Sequence, residues 1–106
     1  MDMFSALAEP NRRLIIELIA KKGQLSASEI STQFPISPQA ISQHLKILRE
    51  SGILEMEKNA QQRIYRLNPK AIDKFSQWLK KMTQIWDQRF SKLDQVLERE
   101  KQKLKK

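Results

Sequence analysis

The sequence contains no cysteine among its 106 residues, only two glycines and a single histidine. The lack of cysteine excludes disulfides, thiolate metal sites, cysteine nucleophiles and thiol redox sensing. No stretch approaches the ~20 consecutive apolar residues that a membrane helix needs, and the N-terminus lacks the basic and apolar regions of a secretory signal. We therefore expect a protein that has no membrane partner and acts in the cytoplasm.

Charge is distributed unevenly along the chain. The formal net charge is +8, from 20 Lys and Arg against 12 Asp and Glu. Residues 1–55 sum to zero, so residues 56–106 carry the whole excess. A basic balance favours a polyanionic partner, either nucleic acid or an anionic membrane surface. The length, with 40% hydrophobic and 30% charged residues, predicts a single helix-rich domain over residues 1–106.

Helix-capping signals mark the first elements of the chain. Apolar residues at helical spacing follow Pro10 and end before Gly23, which predicts a helix over residues 10–22. Ser26–Glu29 has the pattern of a capping box, in which the serine hydroxyl and the glutamate carboxylate each accept a backbone N–H. A short helix is therefore expected from Ala27 to about Phe34.

A second pair of capping residues marks the start of the next helix. Ser37 and Pro38 suit the N-cap and the first helical position, and the pattern continues to about Ser51, before Gly52. Two helices across a tight turn, within residues 26–51, predict a helix-turn-helix.

Period-two alternation replaces the helical pattern after Gly52 and predicts a β-hairpin over residues 53–67. We expect a four-residue loop, Asn59 to Gln62, with an apolar face that leans on the helices because a lone hairpin is unstable in water. The expected cross-strand pairs are Leu54 with Leu67 and Met56 with Tyr65 on that face, and Glu55 with Arg66 on the other.

A long helix is expected after the Asn68-Pro69 cap, from Lys70 towards Glu100, roughly 45 Å at 1.5 Å per residue. Its apolar stripe is too long to be buried within one monomer, which favours a dimer, while the basic tail, residues 101–106, is expected to fray. The stripe consists of Ile72, Phe75, Leu79, Met82, Trp86, Phe90, Leu93 and Leu97, widened by Trp78 and Ile85.

One face of the helix over residues 37–51 is polar and mostly uncharged, and its side chains are not bulky. A helical wheel places Ile41, Leu45 and Leu48 on one side and a small polar set opposite them. Gln can bond adenine, Ser can bond either kind of base, and Lys can reach guanine or a phosphate. The helix N-terminus, at Ser37, also suits a phosphate. The polar set, predicted to contact DNA in the major groove, consists of Gln39, Ser42, Gln43 and Lys46.

The lone histidine, His44, lies at the edge of this face. A metal site needs several converging ligands, and general acid–base catalysis needs a positioned partner, and the sequence offers neither. We expect His44 to make a structural or phosphate hydrogen bond. No Gly-rich phosphate loop or nucleophile–base pair is evident either, so we expect no enzyme and no cofactor.

Three stretches of the sequence resemble the ArsR-type family of bacterial winged-helix repressors, in order and over nearly the whole chain. These are Glu9-Pro10-Asn11-Arg12-Arg13-Leu14-Ile15, SPQAISQHLKILRESGILEMEK and RIYRLNP. The resemblance implies a mainly α fold with a small β-hairpin wing, that is, a winged helix-turn-helix with a long C-terminal dimerisation helix. It also implies a homodimer joined through residues 1–9 and 69–100, which represses transcription at a pseudo-palindromic operator in double-stranded DNA.

The resemblance assigns residues to two surfaces. Arg12 and Arg13 match a family pair, of which one could form a structural ion pair. The implied DNA contacts are Ser37, Gln39, Ser42, Gln43, His44 and Lys46 on the helix and Lys58, Gln61, Gln62 and Arg63 on the wing, near the minor groove or backbone. The implied dimer interface comprises Phe4, Leu7, Phe75, Trp78, Leu79, Met82, Trp86, Phe90 and Leu93.

The sequence departs from the metal-sensing members of this family. They carry a cysteine-containing box on the helix before the turn, where this chain has Glu29 to Phe34, and a second site uses Asp and His pairs on the last helix, which has no histidine here. We therefore expect a non-metal member. Two alternatives remain open: a ligand-responsive repressor with an apolar effector pocket near Trp78 and Trp86, and a winged helix used only for protein–protein contact.

Overall fold

The computed structural model describes residues 1–104, and their side chains up to Lys101. It divides into two compact units, Met1–Ile72 and Asp73–Lys106, which are described separately. The mainly helical fold with a small β wing is confirmed. In chain order the elements are α1 (Met3–Ala6), α2 (Pro10–Lys22), β1 (Leu25–Ser26), α3 (Ala27–Thr32), α4 (Pro38–Glu50), β2 (Leu54–Asn59), β3 (Gln62–Leu67) and α5 (Pro69–Leu104).

Helices α2, α3 and α4 begin at the residues that carry the capping signals, and α2 and α4 end just before the expected glycines. The Ser26 hydroxyl accepts the Glu29 N–H at 3.1 Å, and the Glu29 carboxylate accepts the Ser26 N–H at 3.1 Å, so the capping box is formed. The Ser37 hydroxyl accepts the Ala40 N–H at 3.1 Å. Helix α3 ends at Thr32, two residues earlier than expected. Gly23 and Gly52 follow α2 and α4 with positive φ of 88° and 84°, the conformation that glycine adopts without strain.

The sheet has three antiparallel strands in the order β1-β3-β2, whereas the sequence indicated two. The missed strand is only Leu25–Ser26, too short for alternation to be visible. The hairpin register is confirmed, with Met56 opposite Tyr65 and Glu55 opposite Arg66. The expected four-residue loop is wrong: Asn59 pairs with Gln62, which leaves a two-residue loop at Ala60 and Gln61. Ala60 permits this tighter turn by adopting a φ of 57°.

The core of the first unit is built from the apolar sides of α2, α3, α4 and the hairpin. Ile15 and Ile19 of α2 are fully buried. Leu14, which belongs to the same apolar pattern along α2, is 48% exposed. Met56 and Leu67, on the inner face of the hairpin, are partly buried against the core. The largest fully buried side chains are Ile15, Ile19, Ile30, Ile41, Leu45, Leu48 and Leu54. This core fixes which side of α4 remains at the surface.

Two arginines at the start of α2 bind the end of α1. The Arg12 side chain is buried, and its Nε donates to the Ala6 carbonyl at 2.7 Å. Arg13 is exposed, and its Nη1 donates to the Leu7 carbonyl at 2.7 Å. Within residues 1–104 neither arginine forms an ion pair, although the sequence suggested one for a member of this pair. Both side chains instead donate hydrogen bonds to carbonyl groups that have no partner within the short helix α1.

Helix α5 begins beside the hairpin and is longer than expected. The Asn68 side chain accepts the Lys70 N–H at 3.0 Å, and its amide donates to the Gly52 carbonyl at 2.9 Å. The helix continues through Leu104, beyond the expected end at Glu100, so the part of the basic tail that is described is helical. The remainder of the predicted tail, residues 105–106, lies outside the described residues.

The described part of the second unit consists of this helix, and its apolar stripe is solvent-exposed. Trp86 is 66% exposed and Phe90 is 52% exposed, although their rings lie against each other with centroids 6.4 Å apart. Large exposed apolar surfaces of this extent are unusual on a soluble monomer. No helix within residues 1–104 is long and apolar enough to cross a membrane.

Candidate nucleic-acid interface

The predicted polar face of α4 lies at the surface. Gln39, Ser42, Gln43 and Lys46 are all exposed, while Ile41 and Leu45 on the other side are 1% exposed. Within residues 1–104 these four polar side chains have no hydrogen-bond or ion-pair partner, so their donors and acceptors are available to a ligand. Because α4 is anchored on one side by the core, the face is presented rigidly.

Ser37 and His44 differ from this free set. The Ser37 hydroxyl accepts the Ala40 N–H as the N-cap and retains one proton to donate at the exposed start of the helix. The His44 side chain is only 17% exposed and faces Glu9, with 3.8 Å between Nδ1 and Oε2. His44 Nδ1 is buried and has no hydrogen-bond partner within the described residues. His44 therefore lies against the start of α2 rather than among the exposed polar side chains.

The wing places basic and polar side chains at its exposed end. Lys58, Gln61, Gln62 and Arg63 are all exposed. Side chains alternate between the two faces of a strand, so Arg63 shares the inner face of β3 with Tyr65, while Arg66 lies on the outer face. The two arginines therefore have different surroundings.

Arg66 is neutralised by two carboxylates of the neighbouring strand. Its Nε lies 3.4 Å from Glu55 Oε2, which confirms the predicted cross-strand pair, and its Nη1 lies 3.0 Å from Glu57 Oε2. The hydrogen bonds that Arg66 donates to Glu57 and Glu55 raise the pKa of Arg66 above its ordinary value. Arg63 has no carboxylate partner within residues 1–104, so its positive charge is uncompensated.

Sequence reasoning missed Arg49. It lies in the last turn of α4, seven residues after Ser42 and hence on the same side of the helix. Arg49 and Lys46 line a cavity together with Arg63 of β3. Extending the helical wheel by one more turn would have identified it.

The predicted dimer residues fall in both units. In the first unit Phe4 is 45% exposed, whereas Leu7 packs partly against the core. In the second unit Trp78, Leu79 and Leu93 are 43–52% exposed, and Phe75 and Met82 are half-buried. Leu79, Met82 and Trp86 line an open depression of about 430 Å³ on α5. A single helix cannot enclose a small molecule, so this surface by itself is not an effector pocket.

Metal-ligating side chains are scattered over the described residues. The sequence has no cysteine and one histidine, and within the described residues no three His, Asp or Glu side chains lie close enough together to hold a metal. The one histidine faces a single carboxylate, which falls short of the three or four ligands of a zinc site.

Comparison with known proteins links this arrangement to one family. The family described as "Bacterial regulatory protein, arsR family" matches residues 9–56, from the start of α2 into the wing. The transcriptional repressor SdpR of Bacillus subtilis (strain 168) is 32% identical over 78 residues, which cover 74% of this chain and 86% of that protein. The arsenic resistance transcriptional regulator ArsR2 of Pseudomonas putida (strain KT2440) is 33% identical over 84 residues, 79% of this chain and 70% of that protein.

Solved structures show the same fold. An ArsR-like transcriptional regulator from Rhodococcus sp. RHA1 matches with a TM-score of 0.75 and 30% identity, covering 88% of this chain and 87% of that one. A winged helix-turn-helix DNA-binding domain from Mycobacterium bovis matches with a TM-score of 0.61 and 21% identity, covering 76% and 73%. The fold and these sequence similarities agree: this chain belongs to the ArsR family of bacterial transcriptional regulators.

Proposed function

We propose that this protein is a homodimeric repressor that binds a pseudo-palindromic operator in double-stranded DNA through the exposed polar face of α4. It would act in the cytoplasm by occupying a promoter, without catalysis. The observation that carries the proposal is that Gln39, Ser42, Gln43 and Lys46 are exposed and unpaired within residues 1–104, on a helix whose opposite side is buried. Regulators of this fold class insert such a helix into the major groove.

The chemistry of the face fits base recognition. A glutamine amide can donate a hydrogen bond to adenine N7 and accept one from the adenine N6 amino group. The Ser42 hydroxyl can donate a hydrogen bond to most bases or accept one from them. Lys46 can reach guanine or a phosphate. At the helix start, the Ser37 hydroxyl and the Gln39 N–H suit a backbone phosphate, whereas Pro38 has no N–H and the Ala40 N–H is bound by the Ser37 hydroxyl. We assign His44 a supporting role, because its ring faces Glu9.

The wing would contact the DNA near the minor groove or the backbone. Lys58 and Arg63 provide positive charge, Gln61 lies in the turn at the end of the hairpin, and Gln62 is the first residue of β3. Contacts of this kind position a protein on DNA and supply most of its salt-dependent affinity.

Dimerisation would bring two α4 helices to one operator. The exposed stripe of α5 supports this, since Trp86 and Phe90 expose more than half of their surface in the isolated chain. The Mycobacterium bovis domain of the same fold is described as homodimeric. A two-fold assembly places the recognition helices about one DNA turn apart, roughly 34 Å. The proposed interface comprises Phe4, Leu7, Phe75, Trp78, Leu79, Met82, Trp86, Phe90 and Leu93.

Selection of duplexes from a random 30-base-pair library tests the proposal directly. We expect the wild-type protein to enrich a pseudo-palindrome and to shift it in a gel as a dimer. Gln43→Glu should abolish enrichment because the new carboxylate faces base acceptors and phosphates. Gln24→Glu, the same chemical change at an exposed residue between α2 and β1, is the matched control. Equal enrichment by both variants, or none by the wild type at low salt, would contradict the proposal.

A further inference from the structure

A cavity of about 240 Å³ lies between α4 and the wing in the first unit. Three of the side chains that line it are cations: Lys46 and Arg49 from α4 and Arg63 from β3. Ser42 and Tyr65 line the same cavity. The space greatly exceeds the about 10–15 Å³ that one water molecule needs, so an oxyanion with bridging waters fits.

The fold itself makes the cations converge. Lys46 and Arg49 are three residues apart on α4, so their side chains project from the same side of the helix. The hairpin register pairs Met56 with Tyr65 on the face that packs against the helices, and Arg63, two residues before Tyr65, shares that face. The cluster therefore joins two elements that are distant in sequence.

The cluster has no compensating negative charge. No carboxylate lines the cavity, and none of its three cations forms an ion pair within residues 1–104. On the outer face of the same strand, Arg66 has two carboxylate partners. Three unpaired cations around one polar cavity repel one another and gain stability when an anion binds between them.

The position of the cavity relative to α4 indicates the source of the anion. Arg49 lies ten residues after Gln39, about 15 Å along the helix axis, and the major groove is about 12 Å wide. A helix that reads bases near its first turns would therefore carry Arg49 past the base edges to the phosphates bordering the groove. Ser42 and Lys46 belong to both surfaces, so the two are continuous.

We infer that the cavity formed by Lys46, Arg49 and Arg63 binds a phosphate group, namely a phosphodiester of the DNA backbone at the edge of the major groove. This inference rests on the proposed function. It assigns to Arg49, which makes no side-chain hydrogen bond within residues 1–104, the role of fixing the far end of the recognition helix on the DNA. Free inorganic phosphate has the same chemistry and is the alternative source.

The test compares Arg49→Gln and Arg49→Lys with the control Arg66→Gln, by fluorescence anisotropy on the selected duplex and on a scrambled duplex. Each phosphate contact contributes about 0.9 to the slope of log K against log salt concentration. Between 1 M and 0.1 M salt, one such contact therefore raises the affinity by about eightfold. With two sites in a dimer, Arg49→Gln should bind about 60-fold more weakly at 0.1 M salt, equally on both duplexes. Arg49→Lys should retain the slope, and Arg66→Gln should bind like the wild type.

A second measurement distinguishes the sources. The melting temperatures of the wild type and Arg49→Gln are compared in phosphate and in chloride at equal ionic strength, without DNA. If phosphate stabilises only the wild type while both proteins bind duplex equally, the site binds a free anion and the DNA assignment is overturned. If Arg49→Gln matches Arg66→Gln in both measurements, the inference fails although the proposed function stands. If the wild type binds no duplex at low salt, the proposed function fails, and with it the assignment to DNA.

Discussion

Replacing Arg12 by methionine removes a buried hydrogen bond without emptying the space that the arginine stem occupies. The guanidinium Nε donates to the Ala6 carbonyl at 2.7 Å, and the residue is 9% exposed. Ala6 is itself fully buried, so water cannot readily replace the lost donor. A hydrogen bond to a charged group contributes about 1.5–3 kcal/mol, and a buried acceptor left without a partner costs a similar amount. We expect the free energy of unfolding to fall by about 1.5–3 kcal/mol.

The neighbouring residue provides the matched control. Arg13 makes the same kind of contact with α1, donating to the Leu7 carbonyl at 2.7 Å, but it is solvent-exposed. Because water can satisfy the carbonyl when the side chain is removed, Arg13→Met should cost less than about 1 kcal/mol. The comparison therefore isolates burial, since the sequence position, chemistry and partner helix are nearly the same.

Urea unfolding followed by circular dichroism measures the difference. With a slope of about 1–3 kcal/mol per molar for a small protein, Arg12→Met should lower the midpoint by roughly 1 M. All proteins must be compared at one protomer concentration, because the apparent stability of a dimer depends on it. Equal midpoint shifts for the two variants, or a larger shift for Arg13→Met, would refute the reasoning that burial makes Arg12 the structural member of the pair.

Three further expectations concern the recognition face, the dimer stripe and the start of α5. Gln43→Ala should cost about 1–3 kcal/mol at one base position of the operator and relax specificity there, and a uniform loss on all sequences would contradict base contact. Trp86→Lys should yield monomers in sedimentation velocity while Gln84→Lys, on the opposite side of α5, stays dimeric, and a dimeric Trp86→Lys would remove Trp86 from the interface. Asn68→Ala should destabilise by about 1–2 kcal/mol, and Asn68→Asp by less because it keeps the acceptor for the Lys70 N–H, as judged by thermal unfolding.

Helices α2, α3 and α4, the polar face of α4 and the register of the wing could be predicted directly from the sequence. Each depends on interactions between residues close in the chain. A capping box joins residues three apart, a helical wheel needs only the 3.6-residue period, and the pairing of Glu55 with Arg66 follows from alternation on either side of one turn. These features can therefore be inferred from local geometry alone, without knowledge of any tertiary contact.

Other features were decided only by tertiary structure. Strand β1 is two residues long and exists because β3 offers it an edge, which no local pattern reveals. Leu14 and Ile15 are both apolar residues of α2, yet only the packing of the other elements leaves the first exposed and buries the second. The side chains of Arg12 and Arg13 each bind a carbonyl six residues back in the chain, and Arg49 of α4 lines the same cavity as Arg63 of β3. Such contacts depend on how elements pack together in space, which the period of a single helix or strand does not encode.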